Sequence, residues 1–171
     1  MLIATECLSR RVFMNRSGKI VAGMALSLPA LPVIAAPLDL EKILRDHYAA
    51  FEAMDMDKAL SFFTEDCFFQ DHTFHVTLRN LKEIREAFLQ VQPRYLKFKM
   101  EITNLIISEN QVVSQHIQSG TMRLGANAEP KDYSVHGVSI LEFAGGKIKR
   151  QTDFYDVLGF RKQVGLKSQE Q

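Results

Sequence analysis

Residues 137–156 read "GVSILEFAGGKIKRQTDFYD". Gly145 and Gly146 break an extended run into two strands and mark a hairpin between them. Along the second strand successive side chains alternate faces, so Gln151, Asp153 and Tyr155 share one side and Phe154 takes the other. A glycine inside a long strand, Gly137 here and Gly120 upstream, points to a bend or bulge, and hence to a curved sheet. Which side of that sheet carries Asp153 decides whether the carboxylate is a surface charge or an interior one.

Working outward, "YLKFKMEI" (95–102) alternates Leu96, Phe98, Met100 and Ile102 against Lys97, Lys99 and Glu101, the pattern of a strand with one wet face. "QVVSQHIQSGTMRL" (111–124), "KDYSVHGVSILEF" (131–143) and "KIKRQTDFYDV" (147–157) continue it as a meander, with "GANAEP" (125–130) as a turn. Upstream the period is helical. "PLDLEKILRDHYAAFEAMD" (37–55) starts at a capping Asp39 and repeats Leu40, Ile43, Leu44, His47, Phe51 and Met54 on one face. A short second helix, capped by Asp55 or Asp57, buries Ala59, Leu60 and Phe63 before "TED" (64–66) ends it. "CFFQDHTFHV" (67–76) reads as one or two short strands. Asn80 caps a third helix with Leu81, Ile84, Phe88 and Val91 on one face, stopped by Pro93, and "LGFRKQVGL" (158–166) closes the chain in helical form. The fold class is α+β, with three N-terminal helices packed on a strongly curved, mainly antiparallel sheet. Such a sheet encloses a conical, apolar hollow, the default site for a small molecule.

Composition narrows the function. The chain has 171 residues, 46% hydrophobic and 24% charged, enough for one domain with a core. Residues 1–35 hold Arg10, Arg11, Arg16 and Lys19 against Glu6, which leaves 17 basic and 19 acidic residues in 36–171. No concentrated basic surface is implied, and neither nucleic acid nor an anionic membrane is an expected partner. The first 35 residues read as an export signal: a basic start, the apolar "IVAGMALSLPAL", then small residues at Val33 and Ala35 for cleavage. "SRRVFM" (9–14) matches the twin-arginine pattern, and a general secretory signal starting at Met14 is the alternative route. Gly23, Ser27, Pro29 and Pro32 interrupt the apolar run, so stable membrane insertion is not expected. The expected location is the periplasm or the exterior, with 36–171 as the mature domain. Cleavage removes Cys7 and leaves Cys67 alone, so packing rather than an internal disulfide must hold the fold.

With "YAAFEAMDMDKALSFFTEDCFFQD" (48–71) early and residues 137–156 late, the chain resembles the SnoaL-like polyketide cyclases of the nuclear transport factor 2-like superfamily. The resemblance implies that the Asp153 side of its strand faces the hollow and that Asp153 is the principal acid/base. The late segment is also similar to the limonene epoxide hydrolases, but His116 and Gln118 stand where those enzymes carry an arginine and a second aspartate. The early segment has the spacing of the ketosteroid isomerases and puts Asp71 at their general-base position, with His47, next to Tyr48, where they keep a tyrosine. Candidate catalytic residues are therefore Asp153, Asp71 and His116. Candidate substrate-binding residues are His47, Tyr48, Phe69, Gln118 and Tyr155. A homodimer through the outer sheet face is a further family expectation.

A carboxylate in an apolar pocket has a raised pKa and takes and returns protons near neutrality. The expected function is an exported, cofactor-free acid/base enzyme acting on a hydrophobic carbonyl compound by cyclisation, isomerisation or hydration and dehydration. Its alternatives are a periplasmic binding protein using the same hollow and, behind it, an epoxide hydrolase. Strand alternation separates His72 from Asp71 and His75, so "DHTFH" (71–75) is not expected to hold a metal. No phosphate loop, dinucleotide fingerprint or serine-nucleophile motif occurs.

Overall fold

The computed structural model describes residues 38–166. The export segment, its cleavage site and Cys7 lie outside the described residues. The elements run α1 (Leu40–Glu52), α2 (Met56–Ser61), β1 (Phe63–Asp71), β2 (Val76–Leu78), α3 (Leu81–Val91), a 3-10 turn (Gln92–Arg94), β3 (Tyr95–Ser108), β4 (Gln111–Met122), β5 (Lys131–Ala144), β6 (Lys147–Tyr155) and α4 (Val157–Val164). Side-chain caps start each helix. Asp39 accepts from the Lys42 N–H, Asp55 from Lys58, Asn80 from Glu83 and Asp156 from Gly159, satisfying donors that the first helical turn leaves free.

The six strands form one sheet in the order β2-β1-β6-β5-β4-β3, antiparallel except for the parallel β1–β6 pair. The sheet curls without closing. The β5–β6 turn is tight: the two strands are joined by Gly145 (φ 58°) and Gly146 (φ 77°), conformations that only glycine adopts cheaply. Three single-residue register shifts bend the sheet, leaving Leu96, Thr103 and Lys149 without partners, and a larger irregularity separates Phe63 from Phe68. Gly120 and Gly137 are not the bulged residues. Each pairs regularly and permits close approach instead: a Cβ on Gly120 would lie 2.1 Å from the Lys97 carbonyl oxygen, and one on Gly137 2.6 Å from His116 Nε2.

Helix α1 packs on β3, α3 on β1, and α4 on β5. The larger core gathers Leu44, Leu60, Phe63, Ile84, Leu141 and Ile148, each at most 1% exposed and worth roughly 1.5–3 kcal/mol of burial. Cys67 is buried among them. A smaller cluster of Met122, Tyr133, Val135, Phe160 and Val164 seats α4. Two expectations are corrected. Phe63 is the first residue of β1 rather than part of α2, because Phe62 caps the helix and "TED" continues as strand. Leu96 is 48% exposed, since its bulge turns Tyr95 inward in its place. Among the described residues no helix is long and apolar enough to cross a membrane.

Candidate functional site

Paired residues on neighbouring strands point to the same side of a sheet. Ser114 on β4 pairs with Ser139 on β5, Ser139 with Asp153 on β6, and Asp153 with Asp71 on β1. Four polar side chains thus form a row on the concave face, flanked by Gln151 and Tyr155 and surrounded mainly by apolar groups. The hollow in front of them has a volume of about 400 Å³ and is walled by Phe69, Phe88, Tyr95, Phe98, Met100 and their neighbours. Among the described residues, Arg94 is the lysine or arginine that lines it.

Asp153 is the centre of the row. Its Oδ1 accepts from Ser139 Oγ at 2.6 Å and from Gln151 Nε2 at 3.1 Å, and its Oδ2 accepts from Gln151 Nε2 at 3.0 Å. Burial raises its pKa from 3.8 to about 7; the two donors oppose the rise and the negative charge of Asp71 adds to it. Part of its surface is open to the hollow, yet the surrounding walls keep bulk water distant, and it is this depth that governs its ionisation.

Asp71 ends β1 and also lines the hollow. Its Oδ1 accepts from the backbone N–H of Thr73 (2.7 Å) and Phe74 (3.0 Å), shaping the turn into β2, while Oδ2 accepts from the Tyr155 hydroxyl at 3.2 Å. The residue is both a turn former and a wall of the site. No hydrogen bond joins it to Asp153.

His47 and Tyr48 enter from α1. His47 is fully buried, its ring edge-on to Phe51, Phe62 and Phe63, with Nδ1 donating to the Ala59 carbonyl at 3.1 Å. Burial lowers its pKa from 6.5 to about 4, against the bond to Ala59 and the nearby Gln151 side chain, so it is neutral near pH 7. Burial likewise pushes Tyr48 up to about 12, despite the neighbouring Ser114 and Ser139 hydroxyls, and its hydroxyl lacks a hydrogen bond among the described residues. Gln118 donates to the Tyr133 hydroxyl at 3.4 Å. All five candidate binding residues, His47, Tyr48, Phe69, Gln118 and Tyr155, line the hollow.

His116 does not reach Asp153. It pairs with Gly137, two residues before Ser139 on β5, and its Nδ1 lies 3.3 Å from the Ser114 carbonyl. Its ring stands edge-on to Tyr48 and burial lowers its pKa, so it acts as a packed, neutral core histidine. The register gives its expected place beside the carboxylate to Ser139. No motif marks Ser139 or Gln151 as part of the site, although strand alternation puts Gln151 on the same side as Asp153. His72 stacks on Phe154 with ring centroids 4.7 Å apart, and His75 is exposed in the turn at φ 57°. Among the described residues no three His, Cys, Asp or Glu side chains are grouped to hold a metal ion.

A family model for the SnoaL-like domain matches residues 44–151. Comparison with solved structures finds a SnoaL-like polyketide cyclase of Shewanella denitrificans, 16% identical, with 75% of this chain and 98% of that one covered at a TM-score of 0.68. A protein of ketosteroid isomerase-like fold from Catenulispora acidiphila, crystallised with trimethylamine, is 17% identical over 76% of this chain and 97% of that one, with a TM-score of 0.66. TerC, co-crystallised with polyporic acid, is 17% identical over 74% and 98%, with a TM-score of 0.63. None of the curated proteins matches the sequence. At these identities the structural likeness establishes the fold.

Proposed function

The chain belongs to the SnoaL-like domain family, and from that premise we propose that it is a small-molecule enzyme of cyclase or isomerase type. Asp153 is its proton carrier, and a hydrophobic carbonyl compound its substrate. The observation that carries this reading is the Asp153 carboxyl, enclosed by an apolar hollow, held by Ser139 and Gln151, and poised at about 7. A base with that pKa abstracts a proton near neutral pH without holding it too firmly to return it.

In the proposed step a carboxylate oxygen of Asp153 takes the proton from a carbon next to the substrate carbonyl. The C–H bond breaks, an O–H bond forms, and the electron pair moves to the carbonyl oxygen as an enolate. The enolate carbon then attacks a second carbonyl of the same molecule, closing a ring, or regains a proton at another carbon, completing an isomerisation. In either case Asp153 gives its proton back and the enzyme is restored. Tyr48, with its unpartnered hydroxyl, is suited to donate toward the enolate oxygen, and Asp71 with Tyr155 to hold a polar substituent or a water. Hydrolysis of epoxides is disfavoured, because a neutral His116 outside the hollow and an uncharged Gln118 replace the charged groups of that chemistry.

Solvent deuterium exchange into a panel of hydrophobic 1,3-dicarbonyl compounds, followed by mass spectrometry, tests the proposal, since every variant of the mechanism begins with that proton. The wild-type protein is expected to accelerate exchange and Asp153→Asn to lose at least a hundredfold while still binding the compounds, the scale of a general base removed. Equal exchange rates in the two proteins would sink the assignment. A binding protein, the second use of such a hollow, would show affinity and no acceleration in either form. The leading segment adds that the reaction follows export, and Arg10→Lys with Arg11→Lys is expected to leave unprocessed chain inside the cell.

A further inference from the structure

Among the buried atoms of the site without a hydrogen-bond partner, beside the Tyr48 and Ser114 hydroxyls, are His47 Nε2 and Gln151 Oε1, both sealed from solvent. They belong to side chains that face one another behind Asp153. His47 Nδ1 bonds the Ala59 carbonyl, and a carbonyl only accepts, so Nδ1 carries the ring proton and Nε2 presents a lone pair. Gln151 turns its amide nitrogen to the two oxygens of Asp153, so its own oxygen is left to the side where it meets His47. Two acceptors therefore meet with no hydrogen between them. The other neutral tautomer of His47 would satisfy Gln151 but would set a lone pair against Ala59. An imidazolium would satisfy both, but its burial among three phenylalanines opposes the charge.

One rearrangement satisfies both His47 Nε2 and Gln151 Oε1. If Asp153 is protonated, its O–H donates to Gln151 Oε1, and the amide, turned over about its last bond, donates an N–H to His47 Nε2. We propose that Gln151 and His47 are positioning residues forming a two-state relay behind Asp153, in which the amide turns over each time the carboxyl gains or loses its proton. In the ionised state the amide donates to the carboxylate. In the protonated state it accepts from the acid and donates to His47. The relay stabilises the neutral acid, in the same direction as burial, and ties the orientation of one amide to the progress of proton transfer. Other polar and charged groups facing Asp153 are Ser139 on β5, Asp71 on β1 and Tyr48 on α1, with Tyr155 next along β6; none of them contacts both partners of the relay.

The relay rests on Asp153 as proton carrier for its purpose, but its test reads protonation and not turnover, so it can fail while the catalytic assignment stands. In the full chain labelled with 15N and 13C, NMR titration follows the Asp153 carboxyl carbon, the Gln151 side-chain nitrogen and His47 Nε2. All three signals are expected to move with one midpoint, His47 Nε2 from a free to a hydrogen-bonded nitrogen as Asp153 takes up its proton. His47→Phe removes the acceptor and is expected to lower the Asp153 midpoint by about one pH unit, tenfold in proton affinity, although His47 does not touch Asp153. His47→Gln, which carries an acceptor to the place of Nε2, is expected to restore it. A His47 Nε2 signal that stays free through the Asp153 titration, or an Asp153 midpoint unchanged in His47→Phe, would overturn the relay. Should His47→Phe fail to fold, the wild-type titration alone decides.

Discussion

At the scale of single residues, the site rests on a balance at Asp153. Burial pushes the acid toward its neutral form while Ser139 and Gln151 donate hydrogen bonds that favour the charged one, and the result lies at about 7. For a reaction that begins with proton abstraction, kcat/KM is expected to rise with pH through that value and level off above it. Removing the Ser139 hydroxyl in Ser139→Ala takes away a donor that opposes the rise, so the midpoint of the profile is expected to move to higher pH. A midpoint that stays in place or falls would show that Ser139 does not hold the carboxylate. The serine is a residue that the sequence conceals: nothing in "GVSIL" distinguishes a hydroxyl beside a buried carboxylate from one in an ordinary strand. Asp153 and Asp71 were readable because alternation and family resemblance placed them on one face. His116 was readable as buried, but its partner depended on register, and its pairing with Gly137 leaves it two residues of β5 away from Ser139, the partner of Asp153.

At the scale of elements, the helices follow their sequence signals closely. Asp39, Asp55 and Asn80 cap where their side chains can reach the free N–H groups, and Pro93 falls in the 3-10 turn after α3. Strand β3 departs from its signal, because strict alternation assumes an unbroken ladder and the Leu96 bulge adds a residue. The two interior glycines differ in what they accommodate. At Gly120 an added methyl meets backbone, whereas at Gly137 it meets the His116 ring and lies 3.2 Å from the Phe154 carbonyl oxygen. Both Gly120→Ala and Gly137→Ala are expected to destabilise the fold by about 1–3 kcal/mol in urea unfolding. Only the second is expected to recover in part when His116 is shortened to Ser, since a side chain can be removed and a backbone carbonyl cannot. Equal recovery of both would show that the clash with His116 is not the cause.

At the scale of the molecule, two buried ionisable groups give stability opposite slopes with pH. Asp153 keeps its proton up to about 7 in the folded chain and loses it near 3.8 when unfolded, so its contribution falls as pH rises between those values. His47 stays neutral down to about 4 when folded but takes a proton near 6.5 when unfolded, so its contribution falls as pH drops through that window. The two effects offset one another between about pH 4 and 6.5. In Asp153→Asn the His47 slope stands alone. The variant is expected to lose stability relative to wild type as pH is lowered from 7 to 4, measured as the difference in urea midpoints. A difference independent of pH would show that Asp153 ionises normally in the folded protein.

What the amino-acid sequence determined alone is the set of local features: helical and alternating periods, caps, the glycine hairpin, and the shared side of the strand on which Gln151, Asp153 and Tyr155 travel together. These depend on neighbours within a few residues, and the chain carries them wherever it goes. The tertiary structure decided which of those residues meet. The parallel pairing of β1 with β6 sets Asp71 level with Asp153, and the packing of α1 against the sheet brings His47 toward Gln151. Such meetings depend on strand register and on helix placement across long stretches of chain, where a shift of one residue changes the partner of every side chain.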